Sequence, residues 1–167
     1  LAPRSRRGKK AVVLHSLRVG FYLMSLGFGE EVVIAGILHD VAEKTDHSPS
    51  ALGRRFGGRI GRIVAAVTNN HRIHDALGRY EDSIRRCVEC GEEALIVRAA
   101  DLMDNCDRLL ARGSEERLIK MADKVRLLLK TCRDARVDAR VVEDLTRRLR
   151  RIGRRAGGLA LTRIRAG

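Results

Sequence analysis

Three stretches of the chain carry side chains that can do chemistry together. His15 lies in a first apolar run, His39-Asp40 closes the apolar segment Glu30 to Leu38, and Asp101 and Asp104 sit in Ala99-Ala100-Asp101-Leu102-Met103-Asp104-Asn105. Imidazole and carboxylate together suit a divalent transition metal such as Mn, Fe or Zn. A His-Asp dipeptide at the end of an apolar helix presents both donor types at one rim. Two further ligands from other helices would complete half a coordination shell. The remaining positions stay open to water and substrate, which hydrolytic metal chemistry requires. A lone histidine on an amphipathic helix is ordinarily packed or exposed, so the inference rests on the combination and its spacing.

The elements that must position these residues read as helices almost throughout. Val13, Leu17, Phe21 and Met24 fit one face of a helix ending near Gly27. Glu30 to Leu38 forms a second, with acids in its first turn that suit the helix dipole. Ser48-Pro49 reads as an N-cap followed by proline at the first helical position, and that helix stops at Gly57-Gly58. Ile60, Ile63, Val64 and Val67 form the next stripe. The polar segment Asn69 to Gly78 bridges to two helices, Tyr80 to Cys90 and Glu92 to Leu110, separated by Gly91. Ser114 can cap a helix through Cys132, and a last one runs from Asp134 to Ile152. No strand-period alternation and no internal repeat is visible. The expected fold is all-α, with seven or eight helices over residues 1–152 and a basic Gly/Arg-rich tail over 153–167.

Length and charge narrow the partners. At 167 residues and 44% hydrophobic content, one domain with a real core is expected and wholesale disorder is not. The longest run without Asp, Glu, Lys or Arg is Val19 to Gly29, far short of the roughly 20 apolar residues of a membrane-spanning helix. The chain opens on Leu1 with no secretory signal pattern, so a longer parent chain stays open and a cytoplasmic setting is expected. The net charge of +13 is located at the ends. Residues 1–10 hold five cations, residues 145–167 hold eight, and neither stretch holds an acid. Residues 11–144 balance 21 bases against 21 acids, so the composition predicts no basic groove in the body of the fold. Nucleic acid is then expected only through the basic termini.

Cys87, Cys90, Cys106 and Cys132 read as reduced thiols. His71-x2-His74 followed by Cys87-x2-Cys90 looks like a zinc pattern, but zinc knuckles place the Cys pair on a tight turn. Here the pair lies in a helical pattern without glycine or proline between the thiols, so buried or half-buried thiols are expected. The apolar residues after Ser114 read as a packed amphipathic cover, with the oligomeric state open.

Ile37-Leu38-His39-Asp40-Val41-Ala42-Glu43-Lys44-Thr45-Asp46 resembles the signature of the HD-superfamily alarmone hydrolases, the (p)ppGpp 3′-pyrophosphohydrolases. These occur as the hydrolase half of RelA/SpoT enzymes and as stand-alone small alarmone hydrolases. In that family a histidine precedes the His-Asp pair by 24 residues, as His15 precedes His39. Phe56-Gly57-Gly58-Arg59-Ile60 and the following Ile63 to Thr68 resemble the family's next segment, and Val97 to Asn105 resembles its last metal motif. The similarity covers residues 6 to 110. It implies an HD-type helical bundle with His15, His39, Asp40 and Asp101 as ligands of a divalent metal, typically Mn2+. It also implies a nucleotide substrate contacted by Arg6, Arg7 and Asn105. Asp104 is expected to support a ligand from behind, the alternative being a surface residue beside the site.

Glu43 matches the first of two adjacent family acids that handle water and protons. Lys44 stands where the family usually has the second. Either Lys44 holds a substrate phosphate and Glu43 acts alone, or the change weakens activity or alters the substrate. The implied reaction is metal-dependent hydrolysis of the 3′-pyrophosphate of ppGpp or pppGpp to GDP or GTP. The alternatives are an HD-type phosphohydrolase acting on another nucleotide, and a degenerate HD protein binding polyanions through its basic ends.

Overall fold

The computed structural model describes residues 6–157, with side chains from residue 13 onward. Among the described residues it contains eight helices and one isolated helical turn, with no strand, in agreement with the all-α expectation. In chain order these are α1 (Arg6–Ser25), α2 (Glu30–Leu38), the single turn α3 (Val41–Lys44), α4 (Pro49–Phe56), α5 (Gly58–Val67), α6 (Ala76–Cys90), α7 (Glu92–Arg112), α8 (Glu115–Asp134) and α9 (Ala139–Arg155).

Local chemistry sets most boundaries. The Ser48 hydroxyl accepts from the Ala51 N–H and Pro49 occupies the first turn, so α4 starts where the Ser-Pro pair predicts. Gly91 adopts φ +117 between α6 and α7, a conformation that an L side chain resists. α6 begins at Ala76, ahead of the expected Tyr80, because the Asp75 carboxylate caps it by accepting from the Gly78 N–H. α9 begins at Ala139 rather than Asp134. Arg136 turns the chain at φ 55, and Asp138 then accepts from the Arg140 N–H as the cap. At its far end α9 runs through the buried Gly153 to Arg155, so the expected break after Ile152 falls inside a helix; residues 158–167 of the expected tail lie outside the described residues.

The first helix departs most from expectation. Val13, Phe21 and Met24 are exposed and Leu17 is only half-buried. The inward face is instead His15, Ser16, Val19, Gly20 and Leu23. Both stripes are apolar enough to be core, but only the second carries the small residues that allow close approach. A Cβ on Gly20 would strike Ile37 of α2, and one on Gly36 of α2 would strike Leu23. α1 and α2 therefore meet closely and turn His15 toward His39.

α7 is the central helix. It packs against α1, α2, α5, α6, α8 and α9, and residues Ala94 to Ala100 are buried without interruption. Cys87, Cys106 and Cys132 are buried and Cys90 is exposed; all four are free thiols. Burial pushes the Cys87 thiol up to about 11, which leaves it a neutral packing group. No helix among the described residues is long and apolar enough to cross a membrane.

Candidate metal centre and cationic cleft

His15 from α1, His39 from the end of α2 and Asp101 from the middle of α7 converge. One ligand atom from each lies within 4.8 Å of the other two. The two imidazole Nε2 atoms are 3.2 Å apart, and Asp101 Oδ1 is 3.1 Å from His15 Nε2 and 3.6 Å from His39 Nε2. Asp40, the N-cap of α3, stands at the rim. Its Oδ1 is 3.7 Å from His39 Nε2 and its Oδ2 is 3.9 Å from His15 Nε2. Oδ2 also accepts from Lys44 Nζ at 2.9 Å, one turn later.

The hydrogen bonds behind the two histidines fix their tautomers. His39 Nδ1 lies 2.6 Å from the Gly36 carbonyl oxygen, which only accepts, so Nδ1 carries the proton. His15 Nδ1 lies 2.6 Å from Asp104 Oδ2, again an acceptor. Asp104 is held in turn by Arg18, whose Nε and Nη2 donate to its two oxygens at 2.5 and 3.0 Å. In their neutral forms both imidazoles thus aim bare Nε2 lone pairs at the point that Asp101 Oδ1 also faces. The two Nε2 lone pairs have no donor, and Asp101 Oδ1 has only the Asn105 amide, so the three atoms together call for a cation between them. Two nitrogens about 3 Å apart match two ligands sharing one ion at metal–nitrogen bonds of about 2.0–2.1 Å. The donor set of two imidazoles and a carboxylate fits a divalent transition metal.

Without a metal, protons meet that demand. Burial alone would lower the His15 pKa, but hydrogen bonds to Asp101 and Asp104 outweigh it and raise the imidazole to about 9. Burial opposes protonation of His39 too, yet the Asp101 carboxylate raises it. Burial would raise the Asp101 carboxyl, but His15, His39 and Arg98 hold it well below the usual carboxylate range. Asp104 is likewise lowered to about 2 by His15 and Arg18 against its burial.

Asp101 also lines a cleft of about 800 Å³ between α7 and α8, with α6 at one end. Its wall carries Arg79, Arg98, Arg108, Arg112, Arg117, Lys120 and Lys124, and Asp101 is its single acid. Asp101, Asn105, Arg108 and Arg112 form one stripe along α7, and Arg117, Lys120 and Lys124 face them from α8. This corrects the expectation of no basic groove in the body. The 21 acids balance the 21 bases by number, not by position: Asp82, Asp107, Asp123 and Glu116, for example, pair with arginines or lysines outside the cleft or at its mouth. The recoverable signal was helical spacing within Arg108-x3-Arg112 and Arg117-x2-Lys120-x3-Lys124, which net charge averages away.

The cleft is electrostatically loaded. Lys124 is lowered first by burial and then by the nearby Arg98 and Arg79. Arg98 is buried, donates to Asp101 Oδ2 at 3.1 Å, and sits 4.7 Å above the Tyr80 ring. Its buried Nε has no hydrogen-bond partner among the described residues. Asn105 donates to Asp101 Oδ1 at 2.7 Å and faces the cleft. Glu43 Oε1 accepts from the Asn69 backbone N–H at 2.6 Å, which ties α3 to a residue of the cleft wall. Arg6 and Arg7 begin α1, and their side chains lie outside the described residues.

A family profile described as an HD domain matches residues 1–88. The chain belongs to the HD-domain family. Among relatives of this HD-domain chain, it is 28% identical over 116 residues to guanosine-3′,5′-bis(diphosphate) 3′-pyrophosphohydrolase of Aquifex aeolicus, covering 68% of this chain and 17% of that protein. It is 33% identical over 75 residues to guanosine-3′,5′-bis(diphosphate) 3′-pyrophosphohydrolase MESH1 of Danio rerio, covering 45% of this chain and 41% of the relative. The chain therefore spans only a fraction of the length of these curated relatives. A solved structure of a metazoan ortholog of SpoT, described as hydrolysing ppGpp and playing a role in starvation responses, superposes with a TM-score of 0.67 at 24% identity. That match covers 87% of this chain and 81% of the other. The crystal structure of lmo0812 from Listeria monocytogenes EGD-e superposes with a TM-score of 0.68 at 22% identity, covering 83% and 94%. At those identities the two structures establish the shared fold. The family match ends at residue 88, before α7, so Asp101, Asp104 and Asn105 stand on the geometry above.

Proposed function

We propose that this HD-domain chain is a metal-dependent hydrolase of the 3′-pyrophosphate of guanosine tetra- or pentaphosphate, acting with Mn2+. The observation that carries the reading is the shared residue: Asp101 belongs both to the histidine–carboxylate cluster and to the wall of a seven-cation cleft. A hydrolytic centre that shares a residue with a wall of so many cations suits a substrate with phosphates at more than one position. The relation to pyrophosphohydrolases of guanosine-3′,5′-bis(diphosphate) supports the same substrate.

In this reading His15, His39, Asp40 and Asp101 hold the metal. The ion supplies Lewis acidity and makes a water nucleophilic near neutral pH. Asp104 and the Gly36 carbonyl keep each imidazole in the tautomer that offers Nε2. Glu43, anchored through Oε1 by the Asn69 N–H, takes the water proton on its other oxygen. Water adds to the phosphorus bonded to the ribose 3′-oxygen and that P–O bond breaks. Pyrophosphate leaves, and the 3′-oxygen gains the proton. Arg98, which donates to Asp101 Oδ2, adds positive charge beside the reacting end, while Arg108, Arg112, Arg117 and Lys120 hold the phosphates at the far end. Asn105 contacts the nucleotide, and Arg6 and Arg7 meet its base and phosphates.

A second reading is favoured by Lys44. Its ammonium occupies Asp40 Oδ2, where a cation competes with the metal for the same carboxylate. An HD phosphohydrolase with a different nucleotide preference follows if Lys44 turns instead to a substrate phosphate. One assay separates the two: ppGpp, pppGpp and a panel of nucleoside mono-, di- and triphosphates with Mn2+ or with chelator. The first reading expects pyrophosphate from ppGpp, abolished by chelator. Release of orthophosphate from another nucleotide, with ppGpp untouched, contradicts it and supports the second.

A further inference from the structure

Outside the cleft, the strongest unexplained feature is the outer face of α9. Arg147, Arg150, Arg151, Arg154 and Arg155 are all exposed there, spaced over two turns of a helix whose inner face is Val141, Leu145, Leu149 and Ile152. Arg147 is matched by Glu143 and Asp144, and Arg151 by Asp107. Arg150, Arg154 and Arg155 form no ion pair among the described residues. The chain from 145 to 167 contains no acidic side chain at all. Arg151, Arg154 and Arg155 also line a shallow groove of about 420 Å³ against Leu110, at the last turns of α7.

The groove and the cleft lie on opposite sides of α7. Arg108 and Arg112 line the cleft, whereas Leu110, two residues from each and so about 200° around the helix, lines the groove. The α9 cations therefore form a second basic face, apart from the cleft that Asp101 shares.

The partner's chemistry follows from what the face lacks. No aromatic and no large apolar residue is exposed on α9 between Ala139 and Arg155, so it has nothing to insert into a bilayer and nothing on which bases can stack. Guanidinium forks without apolar or aromatic neighbours match repeated phosphates. We propose that the outer face of α9, with the groove against Leu110, binds the phosphodiester backbone of nucleic acid without reading sequence. This site is separate from the metal cluster and does not depend on the hydrolase reading.

The test is binding of the full chain to labelled oligouridylate and to a duplex DNA of equal length, followed by fluorescence anisotropy across a salt series. The triple variant Arg150→Ser, Arg154→Ser, Arg155→Ser alters exposed positions and is checked for an unchanged melting temperature. Binding of either nucleic acid is expected, with comparable affinity for unrelated sequences. On the single strand the triple variant should flatten the log K against log salt slope by about 2, since each lost phosphate contact is worth about 0.7. Tighter binding of one probe assigns single strand or duplex as the source. His39→Ala should bind as the parent does, and excess guanosine tetraphosphate should not displace the oligonucleotide. Three results overturn the proposal: unchanged binding by the triple variant, which moves the site to the cations of residues 1–10 or 158–167; displacement by the nucleotide, which moves it to the cleft; or binding only to anionic phosphatidylserine vesicles, which makes the partner a membrane surface.

Discussion

His15 is the residue on which the site turns, because it is held from behind by Asp104 and Arg18 while its Nε2 faces His39 and Asp101. Asp104→Asn removes the charge that favours the Nδ1–H tautomer and should weaken divalent-metal binding by about 10- to 100-fold, the usual cost of losing such a partner; titration calorimetry with Mn2+ measures it. Arg18→Met, one step further out, should cost less, and an equal or greater loss would assign the orientation of His15 to Arg18. The same contacts give the metal-free protein a pH dependence. The His15 pKa is raised from 6.5 to about 9, so the folded state holds the proton more tightly than the unfolded chain. That stabilisation is complete below about pH 6.5 and is lost as pH climbs through about 9. Its ceiling is about 3 kcal/mol, because each tenfold gain in proton affinity is worth about 1.4 kcal/mol, and screening by nearby water brings it lower. In chelator, the melting temperature should fall between pH 6.5 and 9. A flat profile would mean that His15 does not carry the proton.

Among the elements, close approach of backbones does what side chains alone cannot. α4 and α5 pack through Gly53 and Gly61, where a Cβ on Gly61 would lie 2.6 Å from Gly53 Cα and 3.1 Å from the Pro49 carbonyl oxygen. Both obstacles are backbone, so Gly61→Ala must push the helices apart and should cost about 1–3 kcal/mol, read as a lower melting temperature with the helical circular dichroism retained. The sequence made the helices themselves readable. Gly91, the Ser48-Pro49 cap and the stripe Ile60, Ile63, Val64, Val67 lie where capping and periodicity place them. The buried face of α1 was not readable, because Val13, Leu17, Phe21 and Met24 form as good a stripe as Val19 and Leu23. The choice is made by Gly20 and Gly36, whose effect depends on a partner helix that the sequence cannot place. The turn α3 escaped for a similar reason: four residues have no periodicity, and Glu43 is fixed by the distant Asn69 N–H.

At the scale of the molecule, the cleft shows how a neutral body can present a strongly positive surface. Arg117→Ser with Lys120→Ser, at the end remote from the metal cluster, should raise KM for guanosine tetraphosphate about tenfold or more and change kcat far less. KM of the parent should itself rise with ionic strength, since exposed charges are screened over about 10 Å at 0.1 M salt. An equal fall in kcat would place these two cations at the reacting phosphate instead. All of this presupposes that helices from three parts of the chain hold one cation. Calorimetric titration of the metal-free protein with Mn2+ tests that most directly: the account predicts one ion per chain, lost in His39→Ala and in Asp101→Ala while both variants stay folded. Undiminished binding in those variants, or none in the parent, would contradict it.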